Sequence, residues 1–236
     1  MRLSCGIVFC VGYAFAQSGI EVPKIGSIID SSGSLRSVQG VAGSFSLGAV
    51  SVPEVLSAAC SEHLCLAKTD SKILSPTGET DAPPGPAIFA MNGDAATMYF
   101  AAPHMFAQWA NDSMDPLEWK IEGDVLSLLW RDGAITIAVR REGRAWIVHP
   151  DGSVADSIGG ATGPVMLLPD GVLFATAGEI VLRHSDSTEV RFELKDAETI
   201  DAMGPHYAVI HADGAIYAFR TDSGQEGVFM LPGTRP

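Results

Sequence analysis

Basic residues are scarce in this chain. Lys and Arg number 15 in 236 residues against 28 Asp and Glu, a formal net charge of −13. A surface of that sign repels phosphate backbones and anionic lipid, so no nucleic acid partner and no membrane-surface partner is expected. The densest basic group, Arg140-Arg141 with Arg144, is interrupted by Glu142. Charged residues of both signs make up 18%, below the roughly 25% usual for soluble domains. Beyond the N-terminus no run approaches the ~18 uninterrupted apolar residues that a membrane-spanning helix needs. Signatures of local catalytic chemistry are missing too. There is no G-x-S-x-G elbow, no P-loop, no G-x-G-x-x-G and no HExxH. Ser, His and Asp occur, but without the spacing that would suggest a triad. Neither a cofactor nor a metal is called for.

The N-terminus has a different character. Residues 1–16 read MRLSCGIVFCVGYAFA: one positive charge at Arg2, an apolar run from Leu3 to Phe15, and Ala14-Phe15-Ala16 before Gln17. That is the layout of a secretory signal peptide with an A-x-A cleavage site. Thirteen apolar residues fall short of the ~20 that span a bilayer. The expected organisation is therefore 1–16 as signal peptide and 17–236 as one mature domain, secreted or periplasmic, with no membrane attachment after cleavage. Losing Arg2 leaves 14 basic residues against 28 acidic ones, so the mature charge is −14. Of the four cysteines, Cys5 and Cys10 leave with the signal. Cys60 and Cys65 remain, and in an oxidising compartment they are expected to pair. A two-residue loop at Glu62-His63 would set Cys60 opposite Cys65 in a non-hydrogen-bonded pair, where side chains are closest.

What the sequence has in quantity is turn residues, with 25 Gly and 14 Pro. Asp132-Gly133, Asp151-Gly152, Asp170-Gly171 and Asp213-Gly214 each separate two apolar runs. Glu142-Gly143, Asn92-Gly93, Ser32-Gly33 and Thr77-Gly78 do so less strongly. Such dipeptides mark hairpins, because type I′ turns need positive φ at both central residues. The clearest unit runs from Asp124 to Ile158 and holds four short strands and three turns. In its second strand Ile135, Ile137 and Val139 share one face, while Ala134, Thr136 and Ala138 share the other. Small residues on the second face predict packing on both sides.

The same four-strand phrase fits residues 53–80, 86–121, 163–194 and 197–232. Residues 24–38 supply a leading hairpin. Segments 53–60 and 104–110 also suit a helix, and the repeat assigns them to strands. A period near 40 residues with four strands per unit predicts an all-β propeller, one blade per repeat. The expectation is about six four-stranded blades with an incomplete first blade that meets the C-terminal one, the alternative being five blades with composite closure.

The phrases AIYAFRTDSG, RAWIVHPDG and IVLRHSDS resemble the third-strand-to-turn segment of bacterial propellers of the YVTN and quinoprotein-like kind. The resemblance extends over most of 17–236 and is one of pattern. Trp-Asp endings, a Gly-Gly doublet in each blade and the sialidase Asp box are absent. It implies a fold and no activity.

Candidate chemistry is sparse. His149 and His184 stand two residues before the turn acids Asp151 and Asp186, at matching points of their repeats, where the repeat accounts for them. His206 and His211 are five apart and face opposite sides of a strand. Cys60, His63 and Cys65 offer three soft ligands within six residues, one short of a structural zinc site. Asp112, Asp115 and Glu118, with Asn111, lie in an acidic stretch that lacks the regular spacing of a calcium loop. Trp109, Trp119, Trp130 and Trp146 fall in or beside predicted strands and read as core. The expected function is a non-catalytic, exported propeller binding a protein or small ligand at a channel mouth. The alternative is a hydrolase-, lyase- or lactonase-like enzyme with a site assembled from several blades.

Overall fold

The computed structural model describes residues 22–233, so the signal peptide assigned to 1–16 and the start at Gln17 lie outside the described residues. The architecture is a β-propeller of six antiparallel sheets, five four-stranded and one three-stranded. Blade 1 holds β1 (Lys24–Ile29), β2 (Leu35–Val41) and β3 (Ser44–Val52). Blade 2 holds β4 (Ser57–Cys60), β5 (Cys65–Lys68), β6 (Lys72–Ser75) and β7 (Gly78–Asp81). Blade 3 holds β8 (Ala87–Asn92), β9 (Ala95–Phe100), β10 (Met105–Ala110) and β11 (Ser113–Leu117). Blade 4 holds β12 (Asp124–Arg131), β13 (Ala134–Arg141), β14 (Arg144–Val148) and β15 (Val154–Ile158). Blade 5 holds β16 (Val165–Leu168), β17 (Gly171–Ala175), β18 (Glu179–His184) and β19 (Glu189–Glu193). Blade 6 holds β20 (Ala197–Gly204), β21 (Tyr207–Ala212), β22 (Ala215–Arg220) and β23 (Gly227–Met230). The first strands β1, β4, β8, β12, β16 and β20 each touch the next, and β20 returns to β1, which closes a ring around a central channel.

Each junction between blades has its own apolar core, six in all. β13 shows how the sequence achieves this. Ile135, Ile137 and Val139 pack toward blade 3, while Ala138 packs toward blade 5. Both faces are covered, as the small residues on the second face required. The thinnest junction joins blades 1 and 2 and is built on Leu35, Val55 and Ala67.

The tightest turns follow the sequence only in part. Asp132-Gly133, Glu142-Gly143 and Asp213-Gly214 carry positive φ at both positions and close two-residue hairpins. Asn111-Asp112 does the same without glycine, at φ 51° and 57°, so the acidic stretch opens on a hairpin turn rather than a ligand loop. At Asn92-Gly93 the loop is shifted by one residue, because Asn92 pairs with Ala95. At Asp170-Gly171 the loop is Pro169-Asp170, and Gly171 already pairs with Leu168. Asp151 makes a different turn. Its carboxylate accepts from the Ser153 amide at 2.9 Å and the Ser153 hydroxyl at 2.6 Å. Asp186 does the same with Thr188, and Asp30 with Ser32.

Blade 1 corrects the expected hairpin over 24–38. It continues through β3, and its chain sense is inverted. A four-stranded blade returns the chain to the face on which it entered, so β4, β8, β12, β16 and β20 all start from one face. Three strands leave it on the opposite face, yet linker 53–56 delivers β3 to the start of β4. β1 therefore runs against the other first strands. Two contacts agree with this. The start of β1, Ile25 and Gly26, meets the end of β20, Met203 and Gly204. The β1–β2 turn accepts a hydrogen bond at Gly33 O from Val55 N in the linker to β4, at 2.7 Å.

Candidate functional site

In blades 2 to 6 the linkers between blades and the turns joining second to third strands share one face of the disc. Two features on that face and in the channel stand out from the general packing.

The first is a groove of about 560 Å³ at the rim of blade 4, lined by Glu122, Gly123, Arg140, Arg141, Arg144 and Trp146, with Glu142 and Val154 beside them. Its construction follows from register. Arg141 opposes Arg144, and Val139 opposes Trp146. Alternation along β14 then puts Arg141, Arg144 and Trp146 on the side of the sheet that faces blade 3. Linker 118–123 forms the far wall. Arg141 Nε donates to Glu122 O at 2.8 Å, and Arg140 is drawn the other way, its guanidinium donating to Gly163 O at 2.5 Å. Gly123 is required here: a Cβ on it would stand 2.4 Å from Arg140 O, and its φ is +91°. Among the described residues none of the three arginines is in an ion pair, whereas Arg36, Arg131, Arg183, Arg191 and Arg220 all are. Arg144 is exposed. Guanidinium forks match planar anions bidentately, and the indole beside them offers a flat apolar wall.

The second feature lies along β20. Its burial pattern leaves Glu198, Thr199, Asp201 and Ala202 exposed, whereas β16, its neighbour in the ring, is buried or half-buried throughout. The inverted blade 1 accounts for the difference. Cα atoms of β4 and β20 come within 8 Å of each other although β1 stands between them in the ring order, so β1 is set back from the axis. Asp201 is reached by water yet crowded by protein, as befits a narrow wetted space. Crowding pushes its carboxyl pKa up, against the Thr199 hydroxyl and the nearby His211, which pull it down. Thr199 and His211 are register partners on β20 and β21.

The other residues singled out by sequence fall as follows. Cys60 and Cys65 form a disulfide with Cα atoms 4.0 Å apart, in the register expected of them. Glu-His does not adopt the positive φ of a type I′ turn. Instead the Ser61 hydroxyl accepts from the His63 and Leu64 amides at 3.2 and 3.0 Å. With both sulfurs in the bond, the Cys60–His63–Cys65 set keeps only its imidazole for a metal. Asp112 accepts from the Thr77 hydroxyl of blade 2 at 2.6 Å, Asp115 opposes Gln108 on β10, and Glu118 lies in the following linker. These three do not converge. Among the described residues no three His, Cys, Asp or Glu side chains are grouped to hold a cation.

His149 and His184 sit in different blades, and His184 Nε2 reaches Glu226 of blade 6 at 3.2 Å. His206 bonds Asp222 at 2.7 Å, remote from His211. Trp109 is core, Trp130 Nε1 donates to the buried Thr97 hydroxyl, and Trp119, in a linker rather than a strand, packs on Phe106. Sequence reasoning missed Asp201 with His211, and also Lys68. The Lys68 side chain is fully buried and its ammonium donates to Thr69 O and Asp70 O at 2.5 and 2.8 Å. Burial pushes its pKa down, with Asp70 opposing.

No protein-family profile and no curated protein matches the sequence. Solved structures match by shape. A chain of the nidogen/laminin complex superposes with TM-score 0.61 at 10% identity, over 89% of this chain and 93% of that one. A catalytically inactive virginiamycin B lyase from Staphylococcus aureus, solved with quinupristin, gives 0.51 at 11%, over 92% and 86%. PorZ, a surface component of the type-IX secretion system of Porphyromonas gingivalis, gives 0.51 at 12%; the match covers 87% of this chain and 30% of PorZ. The class is thus a β-propeller, and its structural neighbours include a secretion component and a lyase. At such identities the likeness defines the fold alone.

Proposed function

We propose that this protein is an exported, non-catalytic β-propeller that binds a protein or small ligand through an anionic group, on the linker face at the rim of blade 4 rather than at the channel mouth. The observation that carries this reading is the groove of Arg141, Arg144 and Trp146, where guanidinium groups free of ion pairs surround a concavity in a chain of net charge −13. Selection for solubility alone gives no reason to gather unpaired arginines around a tryptophan. Export is supported by the A-x-A pattern at 14–16 and by the Cys60–Cys65 disulfide, since such bonds persist in oxidising compartments. A net charge of −13 disfavours polyanions, so the partner that fits is one that brings a single carboxylate or sulfate group to the arginines.

The test is titration of the mature chain with uronate and sulfated oligosaccharides and acidic peptides, beside Arg141→Glu and Arg144→Glu. Saturable binding that weakens at least tenfold in either variant, about 1.4 kcal/mol, is expected. Equal affinity in all three proteins refutes the site.

One observation favours a second reading, an enzyme with a channel site. Asp201 is a carboxyl with a raised pKa beside a histidine, a pairing suited to proton transfer. Turnover of any substrate that is abolished in Asp201→Asn but kept in Arg144→Glu would establish it.

A further inference from the structure

We infer that β3 of blade 1 is an interface: two copies of this chain pair edge to edge, antiparallel, through Ser44–Gly48, each supplying the fourth strand that blade 1 of the other does not have among the described residues.

The other five blades end in a fourth strand of four or five residues. Four of those outer strands carry a carboxylate, the device by which sheet edges avoid unwanted pairing. The fifth, β23, is four residues long. Blade 1 ends instead on β3, nine residues reading SFSLGAVSV without a charge. The whole stretch 31–53 contains one charged side chain, Arg36. That residue is already engaged, with Nε on the Asp30 carboxylate at 2.5 Å and Nη1 on Gly48 O at 3.1 Å.

Apolar exposure gathers in the same place. Six large hydrophobic side chains are exposed among the described residues. Val41, at 60% exposure, and Val50, at 44%, lie on blade 1. Val22 and Leu56 flank it, and Met230 is on β23 of the neighbouring blade 6. The sixth, Val154, belongs to the arginine groove.

Register limits what the edge can pair. Bulges interrupt the β2–β3 ladder beyond Leu47, while Val41↔Ser44 through Val38↔Leu47 is regular. The regular part, with Gly48, is as long as the outer strands of the other blades. A second copy fits it for two reasons. Two chains of charge −13 repel except where their surfaces are neutral, and this hairpin is neutral. An antiparallel pair of identical strands is also its own two-fold partner. Centred on Ser46, it sets Phe45 opposite Leu47 of the partner subunit, with main-chain hydrogen bonds giving the affinity.

The experiment is sedimentation of the mature chain over a concentration series, beside Ser46→Lys and Ser46→Cys. Ser46 is exposed, so neither variant disturbs the core, and circular dichroism with a thermal melt verifies that each folds. The expected result is a mass twice that of one chain, lost in Ser46→Lys, and a covalent dimer in oxidised Ser46→Cys. A wild-type chain that stays monomeric at its highest soluble concentration overturns the inference. So does a dimer that persists in folded Ser46→Lys.

Discussion

Replacing Gly26 by alanine tests how the ring closes. Among the described residues no strand is exchanged between blades 1 and 6, and their junction there rests on side-chain packing and close backbone approach. A Cβ on Gly26 would stand 1.4 Å from Met203 O and 2.4 Å from its carbonyl carbon. Carbon and carbonyl oxygen need about 3.3–3.6 Å, so β1 and β20 would have to part by roughly 2 Å. Gly204 meets Ile25 O from the other side, at 2.3 Å for its own Cβ, so sliding one strand along the other relieves nothing. Parting loosens the core of Ile28, Val38, Met203, Val209 and Leu231.

Overpacking costs about 1–3 kcal/mol where side chains can yield. Backbone on both sides places this substitution near or above 3 kcal/mol. For a domain of this size each kcal/mol lowers Tm by about 2–4 °C, which gives a loss of roughly 6–12 °C. The assay is differential scanning calorimetry of Gly26→Ala beside Gly159→Ala, whose Cβ would have nothing within 4 Å and whose φ is unremarkable. The control should stay within about 0.5 kcal/mol of wild type. If both variants melt together, close approach at β1–β20 does not close the ring.

Three further outcomes follow from the same structure. The Asp30 carboxyl is held down to about 2 by the Ser32 hydroxyl, the Ser34 and Ser32 amides and Arg36, which together outweigh the opposing effect of its burial. Its contribution is complete above the unfolded pKa of about 3.8 and is lost as pH falls through the folded value of about 2. Asp30→Asn should therefore lose about 1 kcal/mol, after allowance for solvent screening, at pH 6 and only a small fraction of that near pH 2, measured by urea melts.

Asp201 has the opposite sign. Its raised pKa means that its effect on stability worsens as pH rises through the folded value. Asp201→Asn should raise Tm at pH 7 and not at pH 3, and a lower Tm at pH 7 would refute the enclosure described here.

Reduction of Cys60–Cys65, which closes a loop of sequence separation five, should cost about 2 kcal/mol and leave the strand signal in circular dichroism intact. Collapse of that signal would show the bond to be structural for the whole fold, and two reactive thiols in the unfolded, non-reduced chain would show that it is absent.

Much of the architecture is local and was therefore legible in the sequence. Turn dipeptides such as Asp132-Gly133 and Asp213-Gly214 act through φ at two residues, and the two-sided apolar pattern of β13 acts through alternation. Both need only neighbours in the chain. Cys60 opposite Cys65 is likewise a matter of counting residues across a hairpin. The inversion of blade 1 was not legible, because it depends on the parity of strands between two faces, and β3 has no turn dipeptide beyond Gly43 to announce it. Asp201 and His211 lie ten residues apart on paired strands, and what perturbs Asp201 is the space left by a blade far away in sequence. Arg140, Arg141 and Arg144 read as an interrupted basic run. Only register shows that Arg140 turns toward blade 5 while Arg141 and Arg144 turn with Trp146 toward linker 118–123. Sequence alone determined the four-stranded phrase of blades 2 to 6 and most of their hairpins, because these are set by short-range sterics and burial. Tertiary structure decided where the ring closes, which edge is left bare and which charged groups meet, because those depend on distances between residues that the chain does not place near one another.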